Sequence, residues 1–336
     1  MPEQDPQPEP DRAVIEWGWL LETVLALVLL GGTGMVVHYY APPPTDDLQL
    51  QVRQIKQQLQ QMDQEHGMPA TVLNRYRNSI CYIYGVYRVG FPGEPSSVRA
   101  RISGTGFIVA DGLLATNRHV AEPWYGDPEA DALIRRGATP QLEKLLAFFP
   151  GLPTPVILTP SVVSAEGDLA VLRVDFAAAI HQLAPLPLAS GPAPPGELVT
   201  VIGYPMGIAG MVAKSPTQVY ERLAYRHDDI GAANELAALS LIRPSATYGH
   251  LGDVVGDKLV YDAPTAHGGS GGPVFNSRGE VIGINSAYLD GFAGGTLGIS
   301  SDALRPLIAA AQKRTAPAPA TLTPAAVHQL LKRNQN

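Results

Sequence analysis

Hydrophobic and polar positions divide the chain into an N-terminal part with helical patterns and a longer part with strand patterns. Residues 1–16 are polar and rich in proline, so we expect a disordered tail there, because too little apolar surface is available to offset the entropy of an ordered chain. Residues 17–40 are almost continuously apolar. As a helix they would extend about 36 Å, more than the roughly 30 Å of a hydrocarbon core. The pattern predicts a transmembrane helix over 17–40.

Aromatic residues stand at both ends of this apolar segment, with two tryptophans at the start and two tyrosines at the end, as is typical of membrane interfaces. A cleavable signal peptide fits less well, because the leader is long and acidic and no A-x-A-like cleavage site follows. A buried core helix is a second alternative, which the flanking disordered-type sequence disfavours. The basic residues near the two flanks do not settle the orientation.

Residues 45–66 carry a heptad pattern, with mostly glutamine and charged residues between the apolar positions. Thr45, followed by two aspartates, favours a helix start. We predict a short coiled coil that promotes homo-oligomers. A solvated spacer helix stays open as the alternative, because so short a coiled coil is marginal alone. The predicted seam consists of Leu48, Val52, Ile55, Leu59 and Met62.

From residue 70 the pattern changes to short runs rich in β-branched and aromatic residues, most of them bounded by Gly or Pro. Many short strands at close spacing are typical of an all-β domain. Apolar residues at helical spacing predict helices over 131–149, 228–241 and 301–314, and residues 315–336 indicate a linker and a short helix. The predicted strands are 80–89, 98–103, 105–110, 112–117, 154–160, 168–174, 197–204, 257–263, 279–285 and 296–300.

Composition narrows the function classes. The 336 residues include 24 Lys+Arg and 31 Asp+Glu, a net charge of −7, and no basic run offers a footprint for phosphates, so we predict no nucleic-acid binding. A single cysteine, Cys81, excludes an intrachain disulfide and a cysteine-based zinc cluster. Neither a metal nor a cofactor is predicted. The 34 glycines and 31 prolines fit a loop-rich β protein better than a helical bundle.

The sequence HGGSGGPV, residues 267–274, places Ser270 between two pairs of glycines. Glycines cost chain entropy unless the backbone needs unusual dihedral angles or a close approach. A nucleophilic serine needs both, because its Oγ must be exposed while backbone N–H groups converge on the oxyanion of a tetrahedral intermediate. A flexible Gly-Ser linker is the alternative, and it fits poorly because the glycines lie between strand patterns.

A serine nucleophile needs a base, and the base needs an acid that orients it. His119 directly follows a predicted strand, and Asp168 begins another. Each residue taken alone is more often structural, so the combination is what favours a catalytic triad of Ser270, His119 and Asp168. His267 competes only weakly for the role of base, because one tight loop would have to present both His267 and the serine.

Three motifs together resemble the trypsin-like serine proteases, and specifically their HtrA/Deg branch. TNRHV at 116–120 is similar to the histidine motif of that family, and GDLAVLRV at 167–174 is similar to its aspartate motif. YDAPTAHGGSGGPVFNSRGEVIGINSA at 261–287 resembles its serine segment. GYPMG at 203–207 and LGISS at 297–301 are similar to further framework stretches, so the resemblance covers residues of about 75–312.

The resemblance implies an all-β fold of two antiparallel six-stranded, chymotrypsin-like β-barrels within a domain over 70–314, with the triad in the cleft between them. The helical insertions at 122–150 and 208–244 depart from this family pattern, because they are longer than it leads us to expect. Together with the apolar segment at 17–40, the resemblance further implies a membrane-anchored serine endopeptidase that cleaves protein or peptide substrates through an acyl-enzyme, with its catalytic domain on the periplasmic or extracytoplasmic side and a role in envelope protein quality control. Only 22 residues follow Arg314, too few for the PDZ domain of many relatives, so none is expected.

The same resemblance assigns residues around the triad. The backbone N–H groups of Gly268 and Ser270, with Gly269 between them, would form the oxyanion hole. Pro264 would lie at the base of the specificity pocket, where the absence of an acidic group favours small apolar side chains over Lys or Arg. The residues that would line the substrate as an edge strand, pairing by β-addition, are Asn285, Ser286 and Ala287.

Two alternative functions remain. The pattern G-x-S-x-G also occurs in α/β-hydrolases, but those enzymes place the acid and the histidine after the serine. Here the only histidine downstream of Ser270 is His328, which follows a Pro-rich linker. An inactive trypsin-like protein that acts as a membrane-tethered scaffold or chaperone stays open, although the retention of all three chemical groups disfavours it.

Overall fold

The computed structural model describes residues 17–40, 45–94, 97–174, 183–288 and 295–315. The predicted tail at 1–16 and the predicted linker and short helix after residue 315 lie outside these residues. The contacts divide the chain into two compact units, one ending at Asp63 and the other beginning at Gln64.

The first unit contains α1 (Trp17–Tyr40) and the start of α2 (Thr45–Tyr76). The large apolar side chains described on α1 are exposed, Leu21 to 77% and Met35 to 74%. Across the described residues, no helix combines the length and the apolar character that crossing a membrane requires. The membrane span at 17–40 is therefore not confirmed and stays a prediction.

Helix α2 begins at Thr45 and continues beyond the predicted coiled coil to Tyr76. The side chains of Val52 and Ile55 on the predicted seam are about half exposed in this single chain. Pairing through the seam therefore stays a prediction.

The second unit consists of two closed antiparallel β-barrels of six strands each, which confirms the all-β architecture predicted for this part of the chain. The strand order is β1-β2-β3-β6-β5-β4 in the first barrel and β10-β11-β12-β9-β8-β7 in the second. The strands of the first barrel are β1 (Ile80–Gly90), β2 (Ser97–Ala110), β3 (Leu113–Thr116), β4 (Thr139–Phe148), β5 (Val156–Val163) and β6 (Ala170–Val174). The strands of the second barrel are β7 (Leu198–Gly203), β8 (Ser245–Val255), β9 (Lys258–Tyr261), β10 (Pro273–Phe275), β11 (Val281–Tyr288) and β12 (Thr296–Ser300).

Helices connect the strands and close the chain. A single turn, α3, follows β3, and three short helices, α5 to α7, lie between β7 and β8. The last described element, α8, occupies the position predicted for a closing helix at 301–314. The helices are α3 (Arg118–Ala121), α4 (Pro128–Arg135), α5 (Gly207–Ala213), α6 (Thr217–Leu223), α7 (Asp229–Ala238) and α8 (Ser301–Thr315).

The helix predicted over 131–149 is wrong from residue 136 onward, because α4 ends at Arg135. Asp127 caps α4 by accepting hydrogen bonds from two backbone N–H groups of its first turn, and Gly137, at φ +98°, follows the end of that helix. The chain then forms β4, which pairs with β1 along nearly its whole length. This pairing overrides the helical spacing of the apolar residues, because context readily outweighs local propensity.

The end of α2 is part of the barrel core. Met68, Val72 and Tyr76 are buried in the same cluster as residues from both barrels. The ring of Tyr76 stacks on Phe275 of β10 with centroids 5.4 Å apart. Since Met68 lies before residue 70, the structure places the start of the barrel unit earlier than the predicted domain boundary.

The single cysteine lies inside the first barrel. Cys81, the second residue of β1, has no exposed surface and pairs with Gly106 of β2. Burial strongly raises the pKa of the Cys81 thiol, because the thiolate would lose its hydration. The residue therefore acts as a small apolar side chain of the core.

Candidate active site

His119 is held by a short, rigid connection. Strand β3 ends at Thr116, Asn117 is extended, and His119 lies in the single turn of α3. The backbone N–H of His119 donates to Asp168 Oδ1 at 2.9 Å, and its Nδ1 lies 2.8 Å from Asp168 Oδ2. An ionised carboxylate can only accept hydrogen bonds, so Nδ1 is the donor in this bond, and in the neutral imidazole Nε2 then has the lone pair that a general base requires.

Asp168 precedes β6 and is fixed from three sides. Its carboxylate accepts the two bonds from His119 and a third from Ser286 Oγ at 2.7 Å, and its backbone carbonyl accepts from Asn117 Nδ2 at 2.8 Å. Burial opposes ionisation of the carboxyl group, but the hydrogen bonds from His119 and Ser286 outweigh it and lower the pKa of Asp168. The group is therefore an anion that orients the imidazole.

Ser270 lies in a turn, residues 267–272, that precedes β10 and is tied to the first barrel. Its carbonyl accepts a bond from Thr105 N at 2.8 Å. Gly271 follows with φ +86°, and a Cβ atom at this glycine would overlap the carbonyl of Thr105. The glycine is required here because the backbone is both left-handed and in close contact with β2.

Some backbone N–H groups of this turn donate hydrogen bonds within the protein, and others have no acceptor among the described residues. The Gly269 N–H donates to Ala266 O at 2.9 Å, and the His267 carbonyl is turned toward Met206 N, which donates to it at 2.6 Å. Within the described part of the chain, the N–H groups of Gly268 and Ser270 have no acceptor. The N–H of Gly269 is therefore occupied in this structure, whereas the other two donors are available, and the oxyanion hole stays a prediction.

His119 and Ser270 face one cleft of about 370 Å³, whose other residues include Ile102 and Met206. The Ser270 Oγ donates to Ser286 O at 3.0 Å, and no hydrogen bond between the described atoms joins it to His119. Catalytic hydrogen bonds are often unformed in a free enzyme and tighten only with substrate. Rotation about the Cα–Cβ bond of Ser270 would redirect the hydroxyl.

Asn285 does not line a substrate surface, contrary to the prediction. Its side chain is buried, with 1% exposed, and its Oδ1 accepts from Tyr261 OH at 2.7 Å. Its Nδ2 donates to Gly269 O at 2.8 Å and to Thr265 Oγ1 at 3.1 Å. Asn285 therefore anchors the turn that carries the serine.

Residues 286–288 have an open edge, as the prediction of an edge strand requires. Strand β10 pairs with β11 only as far as Ile284, and a backbone bond from Asn285 N to Gly272 O follows. Strand β12 continues to pair through Tyr288. Beyond Asn285 one side of β11 thus has no partner strand among the described residues, and Ser286 and Ala287 lie on this stretch.

Pro264 is exposed, and its carbonyl accepts a bond from Thr247 Oγ1 at 2.8 Å. It lines a small cavity together with Gly269, the neighbour of Ser270. Its place at the base of a specificity pocket stays a prediction. His267 is exposed and lines the cleft of Ser270.

The sequence analysis missed a second role of Ser286 and the unusual backbone of Met206. Ser286 was predicted to contact substrate, but its hydroxyl also holds Asp168, which is 118 positions away in the chain. Met206 has φ +63°, which is rare for a non-glycine residue and marks a strained backbone. In the sequence, Met206 belongs to the GYPMG stretch at 203–207, which resembles a framework segment of the family but does not by itself predict this backbone conformation. Among the described residues, no cluster of His, Cys, Asp and Glu could hold a metal ion.

Comparisons with known proteins identify the family of this chain. The family model described as trypsin-like peptidase domain matches residues 104–284. A DegP-like periplasmic serine endoprotease of Rhizobium meliloti is 29% identical over 62% of this chain and 32% of its own length. The mitochondrial serine protease HTRA2 of Bos taurus is 27% identical over 74% of this chain and 44% of its own. The chain thus spans less than half the length of these two curated relatives.

Solved structures give a further likeness. A serine endoprotease from Yersinia pestis aligns with a TM-score of 0.47 at 18% identity, over 73% of this chain and 66% of that one. The HtrA-type protease AlgW with a decapeptide aligns with a TM-score of 0.47, also at 18% identity, over 73% and 67% of the two chains.

Proposed function

Since the chain belongs to the family of trypsin-like peptidases, as its HtrA-like motifs predicted, we propose that it is a serine endopeptidase that cleaves protein substrates with the triad Ser270, His119 and Asp168. One observation carries the proposal. The carboxylate of Asp168 fixes His119 through two hydrogen bonds, while the unused N–H groups of Gly268 and of Ser270 itself lie at the same cleft.

In the first half of the reaction, Ser270 Oγ attacks the scissile carbonyl carbon and His119 Nε2 takes its proton. The negative charge of Asp168, 2.8 Å from Nδ1, stabilises the imidazolium that forms. The imidazolium then protonates the leaving amine, and an acyl-enzyme remains. A water molecule, deprotonated by His119, attacks this ester and releases the second product.

The oxyanion of each tetrahedral intermediate would accept hydrogen bonds from the N–H groups of Gly268 and Ser270. Gly268 holds φ +91°, and a Cβ atom there would come within 2.5 Å of Tyr204 O, so a side chain at this position would displace the donor. Loss of one such donor costs about 10²–10³-fold in rate in other acyl-transfer enzymes.

An extended substrate would add to the open edge of β11 at residues 286–288. Main-chain hydrogen bonds give such β-addition its affinity without requiring a particular sequence. This arrangement supports action on protein or peptide segments that are locally unfolded, which fits protein quality control.

Helix α1 would anchor the enzyme in a membrane, with the catalytic unit on the extracytoplasmic side. The nearly continuous apolar sequence of residues 17–40 supports this part of the proposal, although none of the described helices by itself qualifies as a membrane span. The periplasmic location in the name of the Rhizobium relative supports the side. Extraction of the full chain by detergent, but not by a high-salt wash, is the expected result. Release by salt would contradict the anchor.

Labelling with a fluorophosphonate tests the triad directly. We expect the full chain to form a covalent adduct that is lost in Ser270→Ala and in His119→Ala. Ser277→Ala is the matched control, because this serine lies in the same part of the second barrel and its hydroxyl bonds only Glu197. Folded wild-type protein that remains unlabelled would refute the enzyme and favour the inactive scaffold.

A further inference from the structure

Thr105 of β2 joins the first barrel to the turn that carries Ser270. Its backbone N–H donates to Ser270 O at 2.8 Å, and its side-chain Oγ1 donates to Gly268 O at 2.7 Å. Thr105 is wholly buried, and its own carbonyl accepts a bond from Thr116 Oγ1 at 2.7 Å. One residue of the first barrel therefore holds the carbonyls of both residues whose N–H groups are the available oxyanion donors.

The two partners of the Thr105 hydroxyl fix its orientation. The N–H of Tyr204, which can only donate, lies 3.0 Å from Oγ1, and the carbonyl of Gly268, which can only accept, is its other partner. A hydroxyl has a single proton, so this proton must point at Gly268 O. Valine at this position would have nearly the same shape but would remove the partner of a buried N–H and of a buried carbonyl.

The direction of the Gly268 N–H depends on the peptide planes on both sides of this residue. The preceding plane is held at His267 O, which accepts from Met206 N at 2.6 Å. The following plane is held at Gly268 O by the Thr105 hydroxyl. Gly268 has φ +91° and, like any glycine, has no Cβ atom to restrict its dihedral angles. Hydrogen bonds to both planes are therefore what keeps this N–H in one direction.

The same hydroxyl connects the serine turn to the stretch that follows β7. It accepts the bond of Tyr204, which lies two residues before Met206, the donor to His267 O. A Cβ atom on Gly203 would come within 2.9 Å of Thr105 Oγ1, so the glycine leaves the space that the hydroxyl occupies. The Thr105 hydroxyl thus supports both of the carbonyls that determine the direction of the Gly268 N–H, one directly and one through this stretch.

We propose that Thr105 is a positioning residue of the oxyanion hole, whose hydroxyl keeps the Gly268 N–H aimed at the oxyanion by holding Gly268 O from the other barrel. Thr105 acts through Gly268, and the substrate does not contact its side chain. This inference rests on the proposed function, because it takes the Gly268 N–H to bind the oxyanion. It goes beyond that function by assigning part of the reaction rate to a hydroxyl group of the first barrel.

The test uses the full chain in detergent and the non-specific ester p-nitrophenyl butyrate, with Ser270→Ala as the blank. We expect Thr105→Val to lower kcat about tenfold or more with KM nearly unchanged, because a donor that acts in the transition state affects kcat, and complete loss of one costs about 10²–10³-fold. Thr105→Ser retains the hydroxyl and should restore most of the parental kcat. Thr200→Val is the matched control, because it removes another buried threonine hydroxyl, which donates to Met68 Sδ at 3.0 Å, and it should leave kcat unchanged.

The rate of fluorophosphonate labelling at Ser270, measured well below the melting temperature of each protein, separates positioning from stability. We expect labelling of Thr105→Val to slow by a factor similar to that in kcat, and labelling of Thr105→Ser to stay near the parental rate. Thr105→Ala takes the place of Thr105→Val if the valine protein does not fold, with the same expected results.

A folded Thr105→Val protein with the parental kcat and labelling rate would overturn the inference. A Thr105→Ser protein as slow as Thr105→Val, an equal loss of kcat in Thr200→Val, or an effect on KM alone would overturn it as well. A parent protein that neither hydrolyses the ester nor is labelled at Ser270 would instead refute the proposed function.

Discussion

The replacement Asn285→Ala should destabilise the second barrel by about 2–4 kcal/mol. It leaves Tyr261 OH, which is wholly buried, without its acceptor at 2.7 Å, and an unpaired buried group costs about 1–3 kcal/mol. Gly269 O also loses a bond, at a cost of about 1 kcal/mol, because it keeps the N–H of Gly272 at 3.1 Å. Thr265 is partly exposed, so water can replace its bond.

A double-mutant cycle with Tyr261→Phe makes the prediction sharper. In the parent protein Tyr261→Phe should cost about 1–3 kcal/mol, because Asn285 Oδ1 is left unpaired. In the Asn285→Ala background the same change should be neutral or stabilising, because it removes the hydroxyl that lacks a partner. The two residues should therefore be strongly coupled.

Urea unfolding followed by far-UV circular dichroism measures all four proteins, each carrying Ser270→Ala to prevent self-cleavage. Additive effects of the two substitutions would refute the reasoning, and so would an Asn285→Ala protein as stable as its parent. In the active background we further expect Asn285→Ala to slow fluorophosphonate labelling, since the turn that carries Ser270 loses its anchor. A change confined to KM for peptides would instead indicate direct contact with substrate.

Three further predictions address the site and the N-terminal helix. Gly271→Ala should lower Tm far more than Gly112→Ala, because both glycines have positive φ but only Gly271 would place a Cβ atom against Thr105 O; equal losses would contradict this. Compared with Asp168→Asn, the ionised Asp168 should stabilise the folded protein at pH values above the unfolded pKa of about 3.9. This stabilisation should be lost as the pH falls through the lower folded pKa. A difference in unfolding free energy between the two proteins that does not change between about pH 7 and 3 would argue against this. Val52→Asp with Leu59→Asp should dissociate any oligomer formed through α2, as measured by sedimentation, and an unchanged oligomeric state would make the heptad pattern a spacer.

The sequence predicts those parts of the fold whose signals are local. Strands such as β6 and β7 are mostly apolar runs with flanking turns, and the motifs around His119 and Ser270 occupy a few adjacent positions. Strand β8 was missed because its sequence, SATYGHLGDVV, contains two glycines and little alternation. Its pairing with β7 and β9 comes from closure of the barrel, which no local pattern records.

In the candidate site, too, the sequence predicts what local motifs record and misses what depends on contacts across the fold. The three triad residues follow from motif order, but the roles of Asn285 and Ser286 depend on contacts across the fold. The bond from Ser286 to Asp168 joins the two barrels. Asn285 looked like part of an exposed edge because it precedes two such residues in the chain, yet the alternation of a strand turns its side chain inward to Tyr261. Sequence neighbours on β11 thus have opposite environments.

The buried position of Cys81 has a practical consequence. Because the chain contains a single thiol and burial keeps it protonated inside the first barrel, an alkylating reagent can reach it only when that barrel opens. The rate of alkylation of the native protein therefore reports the opening equilibrium of the first barrel without any introduced probe. Fluorophosphonate would react at Ser270, on the turn before β10, and would need His119 from the first barrel as well, so the two reagents used side by side would compare the opening of the first barrel with the integrity of the proposed triad.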